Sequence, residues 1–177
     1  MGRPIRTVSY DDPQWIRQQG KDQAMRWTGR SGRDGKHDEI GRVPMLRAAG
    51  KAELARLALM TDVVDVKPGE PLQVEGVAVR WFHLILAGDV VITRNGRILG
   101  HSGAGTTVGE ADLLAGTVAS DSVTAVTPVK VMVIGKRQFG QVLEDCPVFR
   151  DGILRSLSRQ LIAATKPAAE PMLLPAG

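Results

Sequence analysis

Between residues 62 and 102 the chain breaks into short runs of aliphatic and β-branched residues, DVVDV, PLQV, WFHLILA, VVITR and RILGHS, each bounded by turn residues. Runs this short and this rich in Val and Ile predict β-strands rather than helices. Gly88-Asp89 and Asn95-Gly96 separate consecutive runs, and both are read as two-residue hairpin turns, Asn-Gly being the strongest short-range signal of that kind. The strands are therefore expected to pair antiparallel, as a meander or a roll. The spacing is interrupted at GAGTTVGEADLLAG and resumes at DSVTAVTPVKVMVIG, so the sheet is expected to close around an inserted segment that is not a strand.

Helical periodicity lies on either side of the strands. AELARLALM places Leu54, Leu57 and Ala58 at helical spacing, and KRQFGQVLED puts Phe139, Val142 and Leu143 on one face. In PVFRDGILRSLSRQLIAAT, which opens at Pro147, Phe149, Ile153, Leu157 and Leu161 recur every four residues. That stripe suits a core that covers the strands or a helix-to-helix dimer, and the first reading is preferred because the same face must seal the roll. With only 4 % aromatic residues, the core has to be built mainly from Val, Leu, Ile, Ala and Met.

A length of 177 residues is about one average domain, divided here into an amino-terminal arm (1–36), a folded domain (37–166) and a Pro-rich tail (167–177). The arm holds eight Lys or Arg against four Asp and so carries the whole formal charge of +4. Basic arms attract phosphate-rich partners, but a surplus this small is read as a solvated extension. Tyr10, Trp15 and Trp27 give the arm something to pack with, a short helix is expected after Asp12-Pro13, and TGRSGRDGK reads as a flexible linker.

The lone Cys146 cannot form an internal disulfide and is read as a packed thiol, which fits a reducing, cytoplasmic setting. The longest apolar stretch is broken by His83, Gly88 and Asp89, short of the roughly 18 residues that spanning a membrane needs. His37, His83 and His101 lack metal-ligand spacing, and His83, alternating with apolar neighbours, is read as a surface or hydrogen-bonded histidine. Neither a phosphate loop ending in GK[ST] nor a nucleophile elbow is present, which argues against an enzyme and against a bound cofactor.

The inserted segment carries the chemistry. Gly109 permits close backbone approach, Glu110 can accept hydrogen bonds from a sugar hydroxyl, and backbone N–H groups at a helix start attract anions. In order and character, the leading helix AELARLALM, the turn KPGEPLQVEG, the strand and turn WFHLILAGDVVI, the cassette VGEADLLAGTVASDSVTA and the closing VMVIGKRQFGQVLEDCPVFRDGILRSLSRQL resemble the cyclic nucleotide-binding domain of the catabolite activator and protein kinase A regulatory subunit family. The resemblance covers residues 47–165, about two thirds of the chain. It implies a mainly β, jelly-roll-like antiparallel roll with flanking helices that holds a cyclic nucleotide such as cyclic AMP.

Carried over residue by residue, the resemblance places the ligand at Gly109, Glu110, Ala111, Leu113, Ala119 and Ser120, with Glu110 on the ribose and Ser120 with backbone N–H groups at the phosphate. The family's cassette usually continues Pro-Arg and a small residue, positions held here by Val118, Ala119 and Ser120, so the phosphate-binding arginine is missing. Asp112 and Asp121 add negative charge nearby, and Arg80 or Arg97 are the cations that another strand could supply. About a dozen residues follow Thr165, which leaves no helix-turn-helix and argues against specific DNA recognition. The expected role is a regulatory sensor, possible ligand cyclic AMP, acting with a protein partner or as a homodimer. The alternative is a ligand-free scaffold that docks a partner through its amino-terminal arm.

Overall fold

A computed structural model describes residues 33–165. Helices α1 (Arg33–Gly41) and α2 (Lys51–Met60), with a 3-10 turn at Pro44–Leu46 between them, precede β1 (Asp62–Val66), β2 (Pro71–Gln73), β3 (Trp81–Ala87), β4 (Val90–Arg94), β5 (Arg97–Ser102) and β6 (Thr107–Val108). The short helix α3 (Glu110–Ala115), strands β7 (Ser122–Ala125) and β8 (Val129–Gly135), and helices α4 (Lys136–Asp145) and α5 (Pro147–Thr165) follow.

The strands form two four-stranded antiparallel sheets, ordered β1-β8-β3-β6 and β2-β7-β4-β5. A mainly β roll with flanking helices, the fold class expected from the sequence, is what the chain adopts. Asn95-Gly96 closes the β4–β5 hairpin with Arg94 opposite Arg97, and both turn residues take the left-handed conformation that an Asn-Gly turn requires.

Gly88-Asp89 is not a hairpin turn. It carries the chain out of one sheet into the other, because β3 pairs with β8 and β6 while β4 pairs with β5 and β7. The run DSVTAVTPVKVMVIG divides in the same way, into β7 and β8 on opposite sheets. These two crossings lie side by side: Val126 N donates to Asp89 O at 2.8 Å, and Asp89 N donates to Thr127 Oγ1 at 2.9 Å. Gly88 has φ 87°, and a Cβ there would lie 2.3 Å from Pro128 O, so only glycine fits. Sequence spacing marks a turn at this point, but which sheet receives the next strand is decided by the neighbouring crossing.

Alternation along β3 divides two cores. Phe82 and Leu84 face the helices, where Phe82, Phe139 and Phe149 stack and edge on one another at 5.1–6.5 Å, while Ile85 faces Val64, Val131 and Val123 between the sheets. The stripe of α5 splits accordingly: Phe149 and Ile153 are buried, Leu157 is half-buried, and Leu161 is 65 % exposed. Helix α1 begins inside the stretch read as a linker. There Lys36 Nζ donates to the carbonyls of Ala58 (2.7 Å) and Thr61 and thereby satisfies the open end of α2. Cys146 is buried between α4 and α5, and burial raises its thiol pKa, which fits an inert packed side chain. The aromatic residues of the arm, its expected helix and the Pro-rich tail lie outside the described residues.

Candidate functional site

Strand β6 ends at Gly109, whose φ of 90° turns the chain into α3. A Cβ at Gly109 would meet Trp81 O at 2.9 Å and the Gln73 side chain at 3.1 Å, so the segment runs tight against β2 and β3. Helix α3 presents Leu113 to the core and ends at Gly116, also left-handed. From there the chain returns along residues 76–79. Ala119 N donates to Val77 O and Gly76 N to Ala119 O, each at 2.8 Å, with Ala78 and Val118 bridged antiparallel.

Gly109, Glu110, Leu113 and Ala119 are buried, whereas Ala111 and Ser120 are exposed at the rim. Two carboxylates occupy the segment. Glu110, 2 % exposed, receives donors on Oε1 from Thr107 Oγ1 (2.5 Å), Gln160 Nε2 (2.7 Å) and Ser156 Oγ (3.4 Å). Thr107 and Ser156 also bond each other at 2.8 Å. The carboxylate assigned by resemblance to a sugar hydroxyl is thus bonded to α5. Asp112 receives Ser120 Oγ at 2.6 Å, Ser120 N at 3.2 Å and, weakly, Thr117 Oγ1 at 3.5 Å.

Arg80, Arg94 and Arg97 are all exposed, and the one that bonds to this region is Arg94. Its Nε lies 2.6 Å from Asp121 Oδ1, and the hydrogen bond and charge of Asp121, with the charges of Glu75 and Asp112, raise its pKa further. Sequence reasoning missed it because the β4–β7 pairing that sets Thr93 beside Ser122 cannot be read from spacing. Thr107, Ser156 and Gln160 were missed for the same reason. The four-residue step between Ser156 and Gln160 was the available signal, since it puts both polar side chains on one face of α5.

His83 departs from its expectation. It is neither at the surface nor hydrogen-bonded: it is 2 % exposed, shares the inward face of β3 with Ile85, and neither ring nitrogen has a partner. Desolvation lowers its pKa to about 4, so the ring is neutral at pH 7. It stands opposite Val108, the residue before Gly109. His101 is exposed, and the His37 side chain is outside those described. Among the described residues, no group of three or more His, Cys, Asp or Glu could hold a metal ion, and no helix is long and apolar enough to cross a membrane.

The family model described as cyclic nucleotide-binding domain matches residues 63–146, from β1 to the end of α4 and across the whole Gly109–Ser120 segment. Residues 63–146 belong to the cyclic nucleotide-binding domain family. Solved structures agree on the fold. The regulatory subunit of a cAMP-independent protein kinase A from Trypanosoma brucei, a mutant bound to cAMP, is 21 % identical with a TM-score of 0.60 over 76 % of this chain and 48 % of that one. The Thermus thermophilus catabolite activator protein is 21 % identical with a TM-score of 0.61 over 68 % of this chain and 59 % of that one. A cAMP-binding acyltransferase from Mycobacterium smegmatis is 24 % identical with a TM-score of 0.62 over 75 % and 42 %. The chain thus spans about half the length of the trypanosome subunit. No curated protein sequence matches it. The segment from Gly109 to Ser120, which the resemblance equates with the family's cassette, lies inside the matched residues, and α5 lies beyond them.

Proposed function

We propose that the chain is a non-enzymatic regulatory module whose cassette takes cyclic AMP weakly if at all, and whose cassette state is transmitted to helix α5. The observation that carries this reading is the bonding of Glu110 to Ser156 and Gln160, 46 and 50 residues away, which ties the ribose-accepting position to the closing helix. All of these donors lie on Oε1, so a ligand hydroxyl that takes Glu110 either shares the carboxylate through Oε2 or displaces them, and a site can switch a helix only if ligand affinity differs between the helix positions. Weak binding follows from Ala119. Hydrogen bonds to charged groups contribute about 1.5–3 kcal/mol each, so lacking a bidentate arginine weakens phosphate binding by roughly two to four orders of magnitude. A cytoplasmic setting accords with the single reduced cysteine.

Isothermal titration of the native chain with cyclic AMP and cyclic GMP to millimolar concentration tests the reading. Binding no tighter than about 0.1 mM, or none, is expected; micromolar affinity would show that the phosphate has another cation, Arg94 being the nearest candidate.

A second reading, a homodimer or a scaffold for a protein partner, is favoured by one observation. Leu154 and Leu161 are 55 % and 65 % exposed and, with half-buried Leu157 between them, follow the 3-4 spacing of a helix-pairing seam. Docking through the arm at 1–36 belongs to this reading, and deletion of residues 1–32, which keeps α1 (Arg33–Gly41) and its Lys36, should abolish partner capture if the arm is the contact.

A further inference from the structure

The donors that a cyclic phosphate would need are already in use. Ala119 N–H is bonded to Val77 O, and the Ser120 N–H and hydroxyl are both bonded to Asp112, one through each carboxylate oxygen. Asp112 is 8 % exposed, and its backbone oxygen also receives Thr117 N at 3.0 Å, so one residue closes the turn from α3 to Ser120. Its carboxylate has the charge and acceptor oxygens of a phosphate, and it is tethered to the cassette. An incoming anion would have to break these bonds and then lie beside the displaced negative charge. Arg94 does not offset this, because its nearest acceptor, at 2.6 Å, is Asp121.

We propose that Asp112 is an internal pseudo-ligand and the specificity-determining residue of the cassette: it occupies the phosphate's donors, holds the loop in its ligand-free shape and excludes anionic ligands. The proposal rests on reading the cassette as a cyclic nucleotide site, and it adds that the missing arginine is only half of the reason for weak binding. An arginine introduced at residue 119 would pair with Asp112 rather than with a ligand.

The test is calorimetric titration of cyclic AMP into Ala119→Arg, Ala119→Arg/Asp112→Ala and Ala119→Arg/Asp112→Asn, each checked for folding by circular dichroism. At least tenfold tighter binding is expected when Asp112→Ala accompanies the arginine than with the arginine alone. Should the alanine variant not fold, the asparagine variant, which keeps an acceptor for Ser120 and removes the charge, is expected to give the same direction of change. Equal affinity with and without Asp112 overturns the proposal and leaves the parent reading standing. No binding in any folded variant overturns both.

Discussion

Glu110 and Asp112 stand two residues apart in one short helix and are both buried, yet different kinds of partner hold their carboxylates. The donors to Asp112, Ser120 and Thr117, come from the same loop, whereas Glu110 draws two of its three donors from α5. A carboxylate satisfied by its own loop shapes that loop. A carboxylate satisfied by another element joins two elements, and its loss is felt in both. The first accounts for how the cassette is built, the second for how its state could reach the rest of the chain.

A third buried polar side chain sharpens the contrast and carries the largest expected effect. His83 has no partner, and its pKa is lowered to about 4 by desolvation. Between pH 6.5 and 4 the unfolded chain takes up a proton at this residue while the folded chain does not, so stability is lost as pH falls through that window. The loss is on the order of 3 kcal/mol at the lower end. Urea unfolding at pH 7 and pH 4 should show that loss in the native chain, and His83→Phe should lose less by about that amount. An identical pH dependence in the two proteins would mean that His83 is satisfied in solution.

Next in size is Glu110→Ala, which removes the acceptor of three donors and leaves the buried Thr107 hydroxyl only its bond to Ser156. A destabilisation of about 2 kcal/mol is expected by chemical denaturation. Less than about 0.5 kcal/mol would place Glu110 outside any junction with α5. The smallest effect is expected from Arg94→Ala. The Arg94–Asp121 pair has an arginine side chain 50 % exposed, and such pairs contribute at most about 1 kcal/mol. A larger loss, or a changed titration with cyclic AMP, would give Arg94 a part in the site.

Much of the fold was legible because its signals are local. Periodicity alone marks α2, α4, α5 and the strands, and Asn95-Gly96 marks the β4–β5 hairpin. The order of the cassette residues was legible by resemblance. What local pattern cannot carry is which sheet a strand joins. That is why Gly88-Asp89 reads as a hairpin, why Arg94 goes unnoticed while Arg80 and Arg97 are considered, and why the bonds from Ser156 and Gln160 to Glu110 go unread. The stripe on α5 shows the same limit: four equally spaced apolar residues look alike in sequence, but the roll reaches only as far as Leu157, leaving Leu161 exposed.

Hydrogen exchange of the α5 amides over residues 154–165, compared among the native chain, Glu110→Ala and Asp112→Ala, tests most directly whether the cassette is joined to the closing helix through Glu110. Faster exchange in this half of α5 is predicted for Glu110→Ala, with native rates retained in Asp112→Ala, whose bonds are all local. Native exchange in Glu110→Ala, or equal acceleration in both variants, would contradict the division of roles between the two carboxylates.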